Sequence, residues 1–228
     1  SNARSVLADA SSVFVGADEG LYIYDRNGDG SAPIWFDPSG HGIARTAAVS
    51  GELAYDADWL RGVQTFSLKD PEAPVLVDRD DTPAVLDSDV GGYGSSVGNG
   101  VLAIGDGRDG IAFFDLKDPA NPVYGASVDS TDALSTVLTV GPITYGCQTN
   151  QGVIAVDGTN PKAPKLLGGA KLDDVAVSDS ASDLAPLGDV LYVARRTGIG
   201  ILDVKDPTAL AWKGLFTFAS NDGATNLR

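Results

Sequence analysis

The 228-residue sequence predicts an all-β protein. It reads as a β-propeller of four-stranded blades, five of them, with a five-blade portion of a six- or seven-bladed ring as the alternative. Three observations predict it. First, a stretch running from glycine through an apolar strand to a proline turn recurs along the chain. Its leading glycines are Gly20, Gly62, Gly110, Gly152 and Gly198, spaced 42, 48, 42 and 46 residues apart. Self-similarity at roughly 40–50 residues marks a repeat architecture. Second, of 31 acidic residues only Glu19, Glu52 and Glu72 are glutamate. Aspartate caps backbone N–H groups in turns, whereas an acidic helical protein favours glutamate. Third, the apolar runs are short, rich in Val, Ile, Tyr and Phe, and fenced by Gly, Pro, Asn and Asp. A solenoid is the competing repeat class, but it needs polar end caps that this sequence does not write.

The elements follow in order. In the first repeat, Ser5–Ala8, Ser12–Val15, the strand after Gly20 and Pro33–Phe36 are the four strands. In the second they are Ile43–Ser50, Leu53–Tyr55, Val63–Leu68 and Val75–Val77. The second strands of the remaining repeats are Val101–Ile104, Ile143–Tyr145 and Val190–Val193. Their third strands follow Gly110, Gly152 and Gly198. Their fourth strands are Pro122–Tyr124, Pro164–Leu167 and Trp212–Phe218. Third strands such as Ile111–Phe114 are apolar without alternation, as a sheet covered on both faces requires. The blades span approximately 4–40, 41–86, 87–130, 131–172 and 173–228, forming a single domain after residues 1–3, an expression-tag remnant.

The turn after each third strand has a local cause. Asp70, Asp118 and Asp206 can fold their carboxylates onto nearby N–H groups, and Pro71, Pro119 and Pro207 fix φ for a type I turn. A second proline, at Pro74, Pro122 and Pro164, opens an outer strand, where a lost N–H does least harm. The leading glycines suit positive φ or close packing. The tail Gly223–Leu227 reads as the start of another inner strand, closing the ring beside the first blade.

This Gly-[Leu/Val/Ile]-x-Ile-x-Asp-x-x-[Asp/Asn]-Pro-x-x-Pro writing resembles the LVIVD repeat of bacterial and archaeal surface proteins, from Ser5 to about Phe218. The resemblance implies a secreted or surface-attached propeller. Gly30, Ser67 and Leu210 depart from the pattern at turn positions only.

The formal net charge of −15 argues against nucleic acid and against an anionic membrane surface, since both need a basic face. No apolar run is long enough for a membrane span. Cys147 is the single cysteine, which excludes an intrachain disulfide and a cysteine metal site; it reads as a buried filler. The chain contains no Met, and the expectation is a piece of a longer exported protein, acting as a monomer.

Propellers work, by analogy of fold, through the face that carries the loops between second and third strands and the blade connections. That face collects the candidate binding residues His41, Trp59, Arg61, Tyr93, Arg108, Asp132, Asp173, Asp174 and Arg195, Trp and Arg being favoured contact residues. The bland alternative is a solvated rim of turn residues. Asp25, Asn27 and Asp29 reproduce the first half of a calcium loop, with oxygen ligands at alternate positions. Its twelfth position is Phe36, so either a polar turn or a structural calcium site is expected, with no other cofactor. The sole histidine, His41, removes histidine-cluster metal sites. The Gly105-x-Gly107-x-x-Gly110 spacing lies between two strands and lacks the helix that a dinucleotide site needs. The reading is a non-enzymatic, extracellular or cell-surface module that binds protein or glycan. The alternative is a glycosidase with aspartates in a central pocket, where two carboxyl groups must stand about 5–10 Å apart.

Overall fold

A computed structural model describes residues 3–36, 44–58, 62–70, 72–80, 92–107, 110–172 and 180–217. Its strands form five four-stranded antiparallel sheets, each in sequence order. Blade 1 holds β1 (Ala3–Ala8), β2 (Ser12–Ala17), β3 (Gly20–Asp25) and β4 (Trp35–Phe36). Blade 2 holds β5 (Ala44–Ser50), β6 (Leu53–Asp58), β7 (Gly62–Ser67) and β8 (Val75–Asp80). Blade 3 holds β9 (Gly92–Gly98), β10 (Val101–Asp106), β11 (Gly110–Asp115) and β12 (Val123–Val128). Blade 4 holds β13 (Leu134–Val140), β14 (Ile143–Gln148), β15 (Gly152–Asp157) and β16 (Lys165–Ala170). Blade 5 holds β17 (Ala181–Leu187), β18 (Val190–Arg195), β19 (Gly198–Asp203) and β20 (Ala211–Thr217). The first strands pack in series, β1 on β5, β5 on β9, β9 on β13 and β13 on β17. The molecule is the five-bladed propeller its repeats predict.

The core lies in the seams between blades. Phe14, Leu21 and Ile23 of blade 1 meet Ala54 and Phe66 of blade 2. Tyr55 and Val63 meet Leu102, Ile104 and Phe114. Ile111 and Phe113 meet Leu134, Ile154 and Val156. Tyr145 and Val153 meet Leu191, Val193 and Leu202. Burying each such large side chain contributes roughly 1.5–3 kcal/mol. In β7, β11 and β15 every residue but the last is buried, as the unbroken apolar text of β11 and β15 requires; in β7 the buried run includes Gln64 and Thr65.

The recurring motif is spent on this framework. At the end of four of the five third strands, Asp25, Asp115, Asp157 and Asp203 accept the N–H two residues on, at 2.9–3.0 Å. In the following turn Asp70, Asp118, Asn160 and Asp206 do the same at 2.9–3.2 Å. Their carbonyls then accept from Ala73, Asn121, Ala163 and Ala209. The Thr159 hydroxyl and N–H hold the Asp157 carboxyl below its usual range, and Thr208 does so for Asp206.

Each leading glycine has positive φ, +100° at Gly110 and +104° at Gly152. A Cβ at Gly110 would overlap the Val128 carbonyl oxygen, and one at Gly152 that of Ala170. Both expected reasons for glycine operate together. The sequence did not show the bulges. Every first strand carries an extra residue near its start, namely Arg4, Arg45, Tyr93, Ser135 and Ser182.

Candidate functional site

The five inner strands surround a central cavity of about 560 Å³. Its wall is aliphatic and hydroxylic, with Val6, Ala47, Ser95, Ser96, Thr136 and Leu138 among its residues. The two serine hydroxyls are engaged: the Thr46 and Ser95 Oγ atoms lie 2.9 Å apart and the Thr139 N–H donates to Ser96 Oγ at 2.9 Å. Asp183 is the one carboxylate among the described lining residues, and its Oδ1 accepts the Leu184 N–H at 2.9 Å. The pair of acids that glycoside hydrolysis uses is not assembled there among the described residues.

The strand starts and the loops between second and third strands share one face of the ring. Backbone fastens them. The Leu134 N–H donates to the Gly107 carbonyl of the preceding blade at 2.9 Å, and the Ala181 N–H to that of Thr149 at 3.0 Å. Within blades, Thr149 N–H donates to Ala133 and Arg196 N–H to Ser180, at 2.8 and 2.9 Å.

Of the candidate binding residues, His41, Trp59, Arg61, Arg108, Asp173 and Asp174 lie outside the described residues, as does the tail Gly223–Leu227. Tyr93 is the bulged residue of β9. Asp132 is half-buried and works as a clamp. Its Oδ1 accepts the Ala133 N–H at 2.9 Å and its Oδ2 accepts the Asn150 N–H at 2.6 Å. Asp132→Ala strands both N–H groups and is expected to cost about 1–3 kcal/mol, read as a lowered urea midpoint.

Arg195, a candidate binding residue of the loop-rich face, is only 5 % exposed. Its guanidinium carbon stands 5.0 Å from the centre of the Trp212 ring, a cation–π distance. The Trp212 indole N–H donates to the Lys171 carbonyl at 2.6 Å, tying blade 5 to the end of blade 4. Gly200 makes the room, since a Cβ there would sit 2.6 Å from the Trp212 ring and 3.0 Å from Arg195 Cδ.

Sequence reasoning passed over Gln64 and placed Asp56, Asp106 and Gln148 in the loops of this face; all four are buried polar residues near it. Gln148 Nε2 donates to Thr131 Oγ1 at 3.1 Å. The signal was present: Asp106 and Gln148 each close a second strand directly before the loop to the leading glycine.

Asp25, Asn27 and Asp29 are exposed, and Asp25 and Asp29 each accept a turn N–H at 2.9 Å. Hydrogen bonds from Ser31 hold the Asp29 carboxyl below its usual range. Among the described residues no cluster of three or more His, Cys, Asp or Glu is placed to hold a metal. Treatment with EDTA is expected to leave the melting temperature unchanged; a fall on chelation, restored by calcium, would make this turn a calcium site.

Residues 173–217, which include the whole of blade 5, match the family model described as the LVIVD repeat. No curated protein matches the sequence. The computationally designed Ika8 protein shares the fold at 10 % identity and a TM-score of 0.64, over 92 % of this chain and 60 % of that one. U3-55K does so at 11 % identity and a TM-score of 0.65, over 92 % and 64 %. BamB from Moraxella catarrhalis does so at 15 % identity and a TM-score of 0.61, over 83 % and 53 %. The chain thus spans less than two thirds of the length of each.

Proposed function

We propose, from the premise that the chain is a five-bladed β-propeller carrying the LVIVD repeat, that it is a non-enzymatic binding or scaffold module. Its setting is outside the cell or at the cell surface, and its loop-rich face holds a protein or a glycan. One observation carries this reading: the aspartates of the repeat are consumed by turns while the cavity wall has a single described carboxylate. Abundant acid therefore supplies framework, and the loops carry the candidate contact residues. Backbone bonds fasten those loops without fixing what their side chains present. Strong acidity suits a partner that is not a polyanion.

The test is a glycan array probed with the labelled protein, run beside hydrolysis assays on chromogenic glycosides. Binding to a defined glycan subset, weakened about tenfold or more by Trp59→Ala as for a contact hot spot, supports the glycan arm. Turnover of any glycoside would sink the non-enzymatic reading.

A further inference from the structure

We propose that the cleft between the outer strands of blades 2 and 3 receives a lysine or arginine side chain from an extended segment of a partner protein. The site lies on the side of the ring and does not rest on what the loop-rich face binds. The observation is one seam that departs from the others. Between β7 and β8, Thr65 lies opposite Asp78 and Val63 opposite Asp80. The same two pairs are Phe113–Ala126 and Ile111–Val128 in blade 3, Ala155–Gly168 and Val153–Ala170 in blade 4, and Ile201–Gly214 and Ile199–Phe216 in blade 5. Of these four blades, blade 2 alone writes a hydroxyl and two carboxylates there. Val63, and Tyr55 opposite Thr65, pack against blade 3, so the whole column faces that blade. Thr65 is fully buried, and its Oγ1 has no hydrogen-bond partner among the described residues. A hydroxyl buried in that way is costly, and the framework does not require it. The aspartates of the repeat hold turns, whereas Asp78 and Asp80 belong to a strand and are half-buried.

The packing of this seam differs as well. A Cβ on Gly125, the bulged residue of β12, would overlap the Pro161 carbonyl oxygen, and one on Gly168 of β16 would sit 2.9 Å from that of Thr208. Glycine there lets the turn of the following blade rest on the strand. The aligned residues of β8 are Val77 and Asp78, and a cleft of about 410 Å³ remains, with Asp78, Asp80, Pro122, Val123 and Tyr124 in its walls. Arg79 stands between the two acids in sequence, but its guanidinium donates to Gln64 Oε1 at 3.1 Å, on the opposite face of the sheet. Two carboxylates suit an ammonium or guanidinium group, and the Tyr124 ring adds a cation–π partner. The surroundings define the rest of the ligand. Val75, Leu76, Val77 and Val123 are exposed apolar residues. Strand β8 ends its sheet, so its outer edge can pair with an extended chain. A net charge of −15 draws a basic segment toward the protein.

The probe is a fluorescein-labelled peptide of alternating lysine and valine, titrated with the protein and read by fluorescence anisotropy at low salt. Saturable binding is expected, weakening as salt rises. Asp78→Asn together with Asp80→Asn should weaken it about tenfold or more, as for a contact hot spot. Glu52→Gln together with Asp189→Asn removes two charges from exposed turns elsewhere and should leave it within about twofold. Acetylation of the peptide's lysines should abolish binding. Circular dichroism verifies each fold, with Asp78→Asn or Asp80→Asn alone standing in if the double variant does not fold. No binding to the wild type overturns the proposal, as do equal losses in the two double variants or undiminished binding of the acetylated peptide. Spermidine that binds the cleft more tightly than the peptide would make it a site for a free amine and overturns the proposal too.

Discussion

Gly110→Ala is expected to cost about 3 kcal/mol or more of folding stability, near the upper end for a single substitution. Two separate penalties meet there. The backbone sits at φ +100°, outside both the right-handed region and the small left-handed one that other residues visit. The new Cβ would also overlap the Val128 carbonyl oxygen and crowd the Ser130 N–H at 2.8 Å. Neither neighbour is a flexible side chain, so backbone must move. Gly51→Ala is the control. Its φ is +59° with nothing within 4 Å of the added carbon, so only the left-handed cost applies, about 1–2 kcal/mol. Urea unfolding of both variants measures the difference. Equal losses would remove the close-approach account of the leading glycines.

Alkaline pH should weaken the protein through Cys147. Burial pushes its thiol up to about 12 from a reference of 9.0, so the folded state favours the neutral form. The sign follows: this contribution is fully present below pH 9 and is lost as pH rises from 9 to about 12. At about 1.4 kcal/mol per pH unit the window removes roughly 4 kcal/mol. Tyr55 and Tyr145, both shifted upward chiefly by burial, act in the same direction at higher pH. Urea midpoints recorded from about pH 8 to about pH 11 should fall for the native sequence, and Cys147→Ala should flatten the slope. An unchanged slope in that variant would leave the thiol without a part in it. The same burial makes Cys147 inert to thiol reagents until the protein unfolds.

The framework was legible because its causes are local. A glycine at positive φ, an unbroken apolar run and an aspartate folded over its own turn each act within a few residues. The sites were less legible because their causes are not. Arg195 read as a candidate contact residue, and its cover by Trp212 from another strand, in a space left by Gly200, could not be read from its neighbours in sequence. Asp132 read as a contact residue, yet its second oxygen holds the Asn150 N–H, 18 residues away. The inner-strand bulges arise from pairing register, which no single strand reveals. Gly30, Ser67 and Leu210 departed from the motif, and the strands around them formed regardless, since seam packing rather than any one turn decides them.

The main-chain fastening of the loop face has an engineering consequence. Gly107 and Thr149 offer carbonyl oxygens, not side chains, to the blades that follow. Foreign recognition sequences could therefore be grafted between such anchor points while ring geometry persists. The same property would let lineages diversify what they capture without redesigning the wheel that displays it.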